Sequence, residues 1–186
     1  MIRKFSFLLI SVGLLIVGYS AYQIFKTKTV QTNNLEKAHE ILQRPEIDLE
    51  EFSPFTGDVV GILSIPRIEA ELPIVEGTDA DDLEKGVGHY KGTAWPLGND
   101  QIVLSGHRDT VFRRMGELEI GDELIVKVPF GEFTYKIEGT RVVSADDLTV
   151  IKPTAPNEVL TVTTCYPFRY VGNAPDRYII TAIPVK

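Results

Sequence analysis

Glu123-Leu124-Ile125-Val126-Lys127-Val128-Pro129-Phe130-Gly131-Glu132-Phe133-Thr134-Tyr135-Lys136-Ile137 is the stretch whose reading decides the fold. Leu124, Val126 and Val128 alternate with Glu123, Ile125 and Lys127. After Gly131 the alternation resumes on Phe133, Tyr135 and Ile137. A period of two, interrupted by a turn residue and then repeated, describes a β-hairpin with one buried face. Short apolar runs at 59–65, 72–75, 102–104, 159–164 and 178–183 extend the same pattern on both sides, punctuated by Pro66, Pro73, Gly106 and Pro175. Thr78 followed by Asp79, Asp81 and Asp82 reads as the start of a short helix that ends near Gly86. Many short strands at even spacing with few helices imply a closed or nearly closed β-barrel over residues 57–186.

Ahead of the barrel the composition changes twice. Positions 5–25 hold no charged residue, with Leu8, Leu9, Ile10, Val12, Leu14, Leu15, Ile16 and Val17 at the centre. A helix of about 20 apolar residues crosses the hydrocarbon core of a bilayer. Tyr19 and Tyr22 lie near the distal end, where amphipathic rings favour the interface, and Arg3 and Lys4 point to a cytoplasmic N-terminus. Residues 1–26 thus read as a single-pass anchor that sends the remainder outside the cell. A cleaved signal peptide is the rival, with Gly18-Tyr19-Ser20 as its small-x-small site, but the apolar stretch is longer than such peptides use. Residues 27–56 read as a polar linker in which Asn34 caps a short helix running to about Gln43, with Leu35, Ala38, Ile41 and Leu42 on one face.

Net charge excludes one class of partner. The chain carries −7, and beyond the anchor 26 acids face 16 bases. Nucleic-acid binding depends on neutralising phosphates with Lys and Arg, so a domain this acidic is not built for it.

Chemistry enters with the lone cysteine, Cys165. It cannot form an intrachain disulfide, so in an exported protein it is either a packed residue or a reactive thiol. It ends the run 159–164. Arg177 opens the next strand 12 residues later, and His107 ends the run 102–104 with Ser105-Gly106, 58 residues earlier. A thiolate is a nucleophile, a histidine carries protons near neutral pH, and an arginine is always charged and can hold an oxyanion. If the strands carrying Cys165 and Arg177 are neighbours, both residues reach the same rim. His89 competes with His107 for any catalytic role on chemistry alone.

Four separated motifs then carry a family resemblance. Thr161-Val162-Thr163-Thr164-Cys165 resembles the TLxTC strand of sortases, with Val162 in place of leucine, and Ser105-Gly106-His107-Arg108-Asp109-Thr110 resembles their (A/S)GHRDT segment. Gly88-His89-Tyr90-Lys91-Gly92-Thr93-Ala94 is similar to their GHYxGTA stretch. Cys165-Tyr166-Pro167-Phe168, continued by Tyr170-Val171-Gly172, Ala174-Pro175 and Arg177-Tyr178-Ile179, is similar to the class D branch. The resemblance implies an eight-stranded sortase barrel, with Cys165 as nucleophile, His107 as general acid/base and Arg177 as oxyanion or substrate stabiliser. It implies Thr164 and His89 as substrate-binding residues that line or shape the groove, and a chemistry that needs no metal or other cofactor. It implies LPxTG-like or LPxTA-like sorting signals of surface proteins as substrates and a peptidoglycan amine as acceptor. Glu117, Glu119, Asp122 and Glu123, a conceivable calcium set, read as a solvated turn. An L,D-transpeptidase is a poorer match because its arginine follows the cysteine by two residues, where this chain has Pro167. A general cysteine protease would use the same groups, and a non-catalytic anchored extracellular binding domain would leave His107 and Arg177 unexplained.

Overall fold

The computed structural model describes residues 2–44, 47–168 and 172–185. Its eight strands are β1 (Val59–Ile65), β2 (Ala70–Glu76), β3 (Val87–His89), β4 (Gln101–Gly106), β5 (Glu123–Val128), β6 (Gly131–Ser144), β7 (Val159–Tyr166) and β8 (Asp176–Pro184). They close into a barrel in the order β1-β2-β3-β4-β7-β8-β6-β5, with β5 returning to β1. The hairpin read from alternation is β5–β6, paired from Glu123↔Lys136 to Val128↔Gly131. Closure removes exposed strand edges and gathers the alternating apolar residues in one interior. Leu63, Ile74, Ile102, Leu104, Leu124, Val126, Tyr135, Ile137, Leu160, Val162 and Ile180 form that interior, each almost wholly buried. Tyr135 brings a hydroxyl into it, and this group donates to Glu158 Oε1 at 2.7 Å. Burial, reinforced by that carboxylate, pushes the phenol far above its ordinary pKa.

β3 went unread in the sequence because three residues cannot display a period. It fills the gap by pairing parallel to β2 and antiparallel to β4. The expected helix after Thr78 is α2 (Ala80–Lys85).

The region before the barrel differs from the expectation of a linker with its own short helix. One helix, α1 (Ile2–Leu42), runs without a break for 41 residues, about 60 Å at 1.5 Å per residue. No glycine or proline stands between Gly18 and Pro45, so nothing in the backbone stops it. Its N-terminal part is long and apolar enough to cross a membrane. From Thr27 onward Val30, Gln31, Asn34, Leu35, Ala38, Ile41 and Leu42 are partly or fully buried, a stripe at helical spacing laid on the barrel. Asn34 is therefore not a cap of its own helix. Its Nδ2 donates to the Lys85 carbonyl at 3.2 Å, and Gln31 Nε2 donates to the Glu84 carbonyl at 3.4 Å, so both serve the C-terminal carbonyls of α2.

Candidate active site

Strand register determines the site. β4 and β7 run parallel, from Gln101↔Val159 to Gly106↔Thr164. His107 and Cys165 each follow the last pair by one residue. β7 and β8 run antiparallel, and Cys165 faces Arg177 directly across the ladder. Neighbouring strands stand about 4.8 Å apart. The backbones of His107, Cys165 and Arg177 thus form one transverse row across three adjacent strands, with Cys165 in the middle.

Alternation places their side chains. Leu160, Val162 and Thr164 of β7 face the interior, so Thr161, Thr163 and Cys165 face outward. By the same rule Ser105 and His107 leave β4 outward, and Arg177 shares the face of Cys165 opposite it. All three side chains are half-buried, neither lost in the core nor fully solvated, and Cys165 is a free thiol. They sit on the outer surface of the barrel wall at the ends of strands, a rigid scaffold for a reactive group.

Local bonds fix each member. The His107 carbonyl accepts from the amides of Thr110, at 3.3 Å, and Phe112, at 3.1 Å, which turns the chain sharply after β4. Gly106 must be glycine, because a Cβ there would stand 2.5 Å from the buried Phe112 ring. Arg177 Nη1 donates to the carbonyls of Asp176, at 3.0 Å, and Ala174, at 3.4 Å, so the guanidinium rests on the loop that precedes its strand. Tyr166, Phe168 and Tyr178 pack ring against ring beside the row, with centroids 5.1 to 6.1 Å apart.

Thr164 and His89, expected at the substrate groove, are both buried and hydrogen-bonded within the fold. Thr164 is 4% exposed, and its Oγ1 donates to the Gly106 carbonyl at 2.7 Å. It pins β7 to β4 one step before Cys165 and His107. His89 is 1% exposed. Its Nδ1 lies 2.7 Å from Glu76 Oε2, its Nε2 lies 3.0 Å from the Ala94 carbonyl, and its ring stacks on Trp95 at 3.8 Å. Neither ring nitrogen is left for a ligand, so His89 supports the β3–β4 loop from inside. Tyr170 and Val171 of the class D-like stretch lie outside the described residues. Three acids of the turn, Glu117, Glu119 and Asp122, are engaged with arginines or backbone. Arg114 grips Glu117 through two bonds of 3.0 and 2.7 Å, which lowers the Glu117 carboxyl pKa, and Arg67 lies 3.4 Å from Glu119.

Part of the outer wall is covered. Between β6 and β7 the chain crosses the start of β4 and β7, where Gln101 Nε2 donates to the Val150 carbonyl and Gln101 Oε1 accepts from the Lys152 amide, both at 2.8 Å. Asp100 Oδ1 accepts from the amides of Thr154, Gln101 and Ala155. These donors, Thr154 first, hold its carboxyl below the ordinary value of 3.8. The bonds of this cover are made at Asp100 and Gln101, and Ser105, Thr163, His107 and Cys165 further along are each partly exposed.

A thiol with an imidazole and a guanidinium on adjacent strand ends is the equipment of a thiol acyl-transfer enzyme. Comparison with known proteins gives the class a name. The sortase domain matches residues 63–185. Sortase D of Bacillus subtilis (strain 168) is 52% identical over 184 residues, covering 92% of this chain and 93% of that protein. Among solved structures, a Clostridium perfringens Sortase D5 transpeptidase superposes with a TM-score of 0.73 at 28% identity, over 85% of this chain and 99% of that one. The SrtA sortase from Actinomyces oris superposes with a TM-score of 0.66 at 29% identity, over 72% of this chain and 83% of that one. The chain belongs to the sortase family, and its activity is that of a sortase, a cysteine transpeptidase.

Proposed function

We propose that this sortase cleaves LPxTG-like or LPxTA-like sorting signals of surface proteins after the threonine and joins the threonine to a peptidoglycan amine, with Cys165, His107 and Arg177 as its catalytic residues. The observation that carries the reading is the register: Cys165 directly opposite Arg177, and His107 at the parallel position on the other side. The Cys165 thiolate adds to the threonine carbonyl, and Arg177 stabilises the oxyanion that forms. The C–N bond then breaks, the departing amine takes a proton from His107, and a thioester to Cys165 remains. An incoming amine gives its proton back to His107 and attacks the thioester. A new C–N bond forms, the C–S bond breaks, and the thiolate is restored beside protonated His107. Without an amine, water resolves the same thioester, which is thiol-protease activity. Thr164 shapes the groove by fixing the backbone beneath Cys165, and His89 by holding the β3–β4 loop.

The anchor completes the reading. The apolar part of α1 spans the membrane once, Arg3 and Lys4 stay in the cytoplasm, and the barrel stands outside a Gram-positive cell, where its protein and cell-wall substrates are. Because residues 27–42 dock on the barrel, the test uses the full-length protein in detergent. Fluorogenic LPxTG and LPxTA peptides are incubated with and without an amine acceptor, beside Cys165→Ala. Cleavage that requires Cys165, together with acceptor-dependent ligation, supports the reading and names the preferred signal. A folded protein that cleaves neither peptide, with a thiol inert to iodoacetamide, refutes it.

A further inference from the structure

Arg108 follows His107 directly, yet its side chain serves another part of the site. It is 7% exposed. Nη1 donates to the Pro167 carbonyl at 3.0 Å and Nη2 donates to the Gly172 carbonyl at 2.8 Å. Nε lies 3.6 Å from Asp109 Oδ2, but that carboxylate is 70% exposed and its pull is screened by solvent. Among the described residues the two carbonyls are its closest partners. Pro167 lies two residues after Cys165, and Gly172 five before Arg177. One planar cation holds both the outgoing and the returning limb of the loop that joins the two.

Thr164 supplies the matching tie on the other side of the cysteine. Its hydroxyl fastens β7 to the Gly106 carbonyl one residue before Cys165 and one before His107. Arg108 fastens the chain beyond Cys165 to the residue beyond His107. The 106–108 segment thus grips β7 and its loop at two points, with Cys165 between them. A fixed fork of N–H donors can hold two carbonyls at once, whereas an ammonium on a flexible stem is a single point charge. A guanidinium this buried must also keep its partners, since an unpaired buried charge is costly.

We propose that Arg108 is a positioning residue for transpeptidation: by tying the β7–β8 loop to the peptide that carries His107, it fixes where His107 and Arg177 stand relative to Cys165. The proposal rests on the reading of those three residues as the catalytic set. In this role Arg108 acts through the Pro167 and Gly172 carbonyls and not on the reacting atoms. A displacement of about 1 Å in a catalytic arrangement can cost about 100-fold in rate, so the loss falls on the chemical step and not on peptide capture.

The test uses the full-length protein in detergent as wild type, Arg108→Lys, Arg108→Ala and Cys165→Ala. The readouts are kcat and KM on the fluorogenic sorting peptide, the thermal midpoint, and the rate of Cys165 alkylation by iodoacetamide without peptide. Arg108→Ala is expected to lower kcat about 100-fold with KM changed by less than about threefold. Arg108→Lys, which can reach one carbonyl at a time, is expected to recover about tenfold of that loss. If Arg108→Ala does not fold, Arg108→Lys carries the test, with a loss of about tenfold in kcat. A folded Arg108→Lys or Arg108→Ala protein with wild-type kcat, or one whose loss is entirely in KM, overturns the proposal. Wild-type protein that leaves the peptide intact and Cys165 unalkylated overturns instead the catalytic reading beneath it.

Discussion

Two walls of the same barrel are built from similar strands and do opposite things. β1 and β2 lie across the ring from β7 and β8. On the first wall even outward positions are apolar and sealed: Ile62 and Val75 are 0% exposed, and so is Ala38 of α1, which lies on β1 and β2. On the second wall and the adjoining β4 the outward positions near the strand ends are Ser105, Thr163 and Cys165, all partly exposed. A strand buried on both faces reads as a continuous apolar run, and one with a working outer face alternates. The contrast teaches where the molecule invests stability and where it keeps a surface free for chemistry.

Five experiments break or sharpen that contrast. The largest effect belongs to the open wall. Cys165→Ala should lower peptide cleavage by at least about 1,000-fold while leaving the thermal midpoint unchanged, because it removes the proposed nucleophile and not a packed group. Arg177→Ala should cost about 100-fold in kcat/KM, measured on the same peptide. On the sealed wall Ile62→Ala should do the reverse. It should destabilise by about 3 kcal/mol in urea unfolding and leave kcat of the folded protein unchanged. A catalytic loss without that destabilisation would show that the walls are not separate. Thr164→Val tests the seam between them. It should cost about 1 to 2 kcal/mol, because the Gly106 carbonyl loses its donor in a buried place. The smallest effect concerns the cover over the start of β7. The folded Asp100 carboxyl is held below its ordinary value by the Thr154, Gln101 and Ala155 amides, so its ionised form stabilises the fold. That contribution is present above the unfolded pKa and fades as pH falls through the folded one. The stability gap between wild type and Asp100→Asn, followed by urea melts, should therefore be full at pH 7 and shrink as pH drops into and below the ordinary aspartate range.

The hairpin, the strand ends and the rim position of Cys165 were legible because a period of two and a turn residue are local signals. β3 was not, since its three residues owe their strand conformation to β2 and β4 on either side. Nor was the continuity of α1. Asn34 has the chemistry of a cap, and only the placement of Lys85 beside it shows that the side chain caps a different helix. His89 sits in a motif and has the chemistry of a site residue, and its enclosure by Glu76, Ala94 and Trp95 depends on residues up to 13 positions away folding around it. Arg108 belonged to the Ser105–Thr110 motif, but nothing local pointed to what its side chain holds. Its partners are 59 and 64 residues distant.

By itself the sequence determined what is local or compositional: an apolar segment long enough to span a bilayer, alternating strands that need a common interior, and one thiol with a histidine and an arginine at strand ends. Side-chain period and chain chemistry settle those without reference to partners. The tertiary structure decided which strands are neighbours, and with that which residues share a row. Cys165 faces Arg177, and stands level with His107, only because β7 runs antiparallel to β8 and parallel to β4. Register is a long-range property, set when the barrel closes around one core.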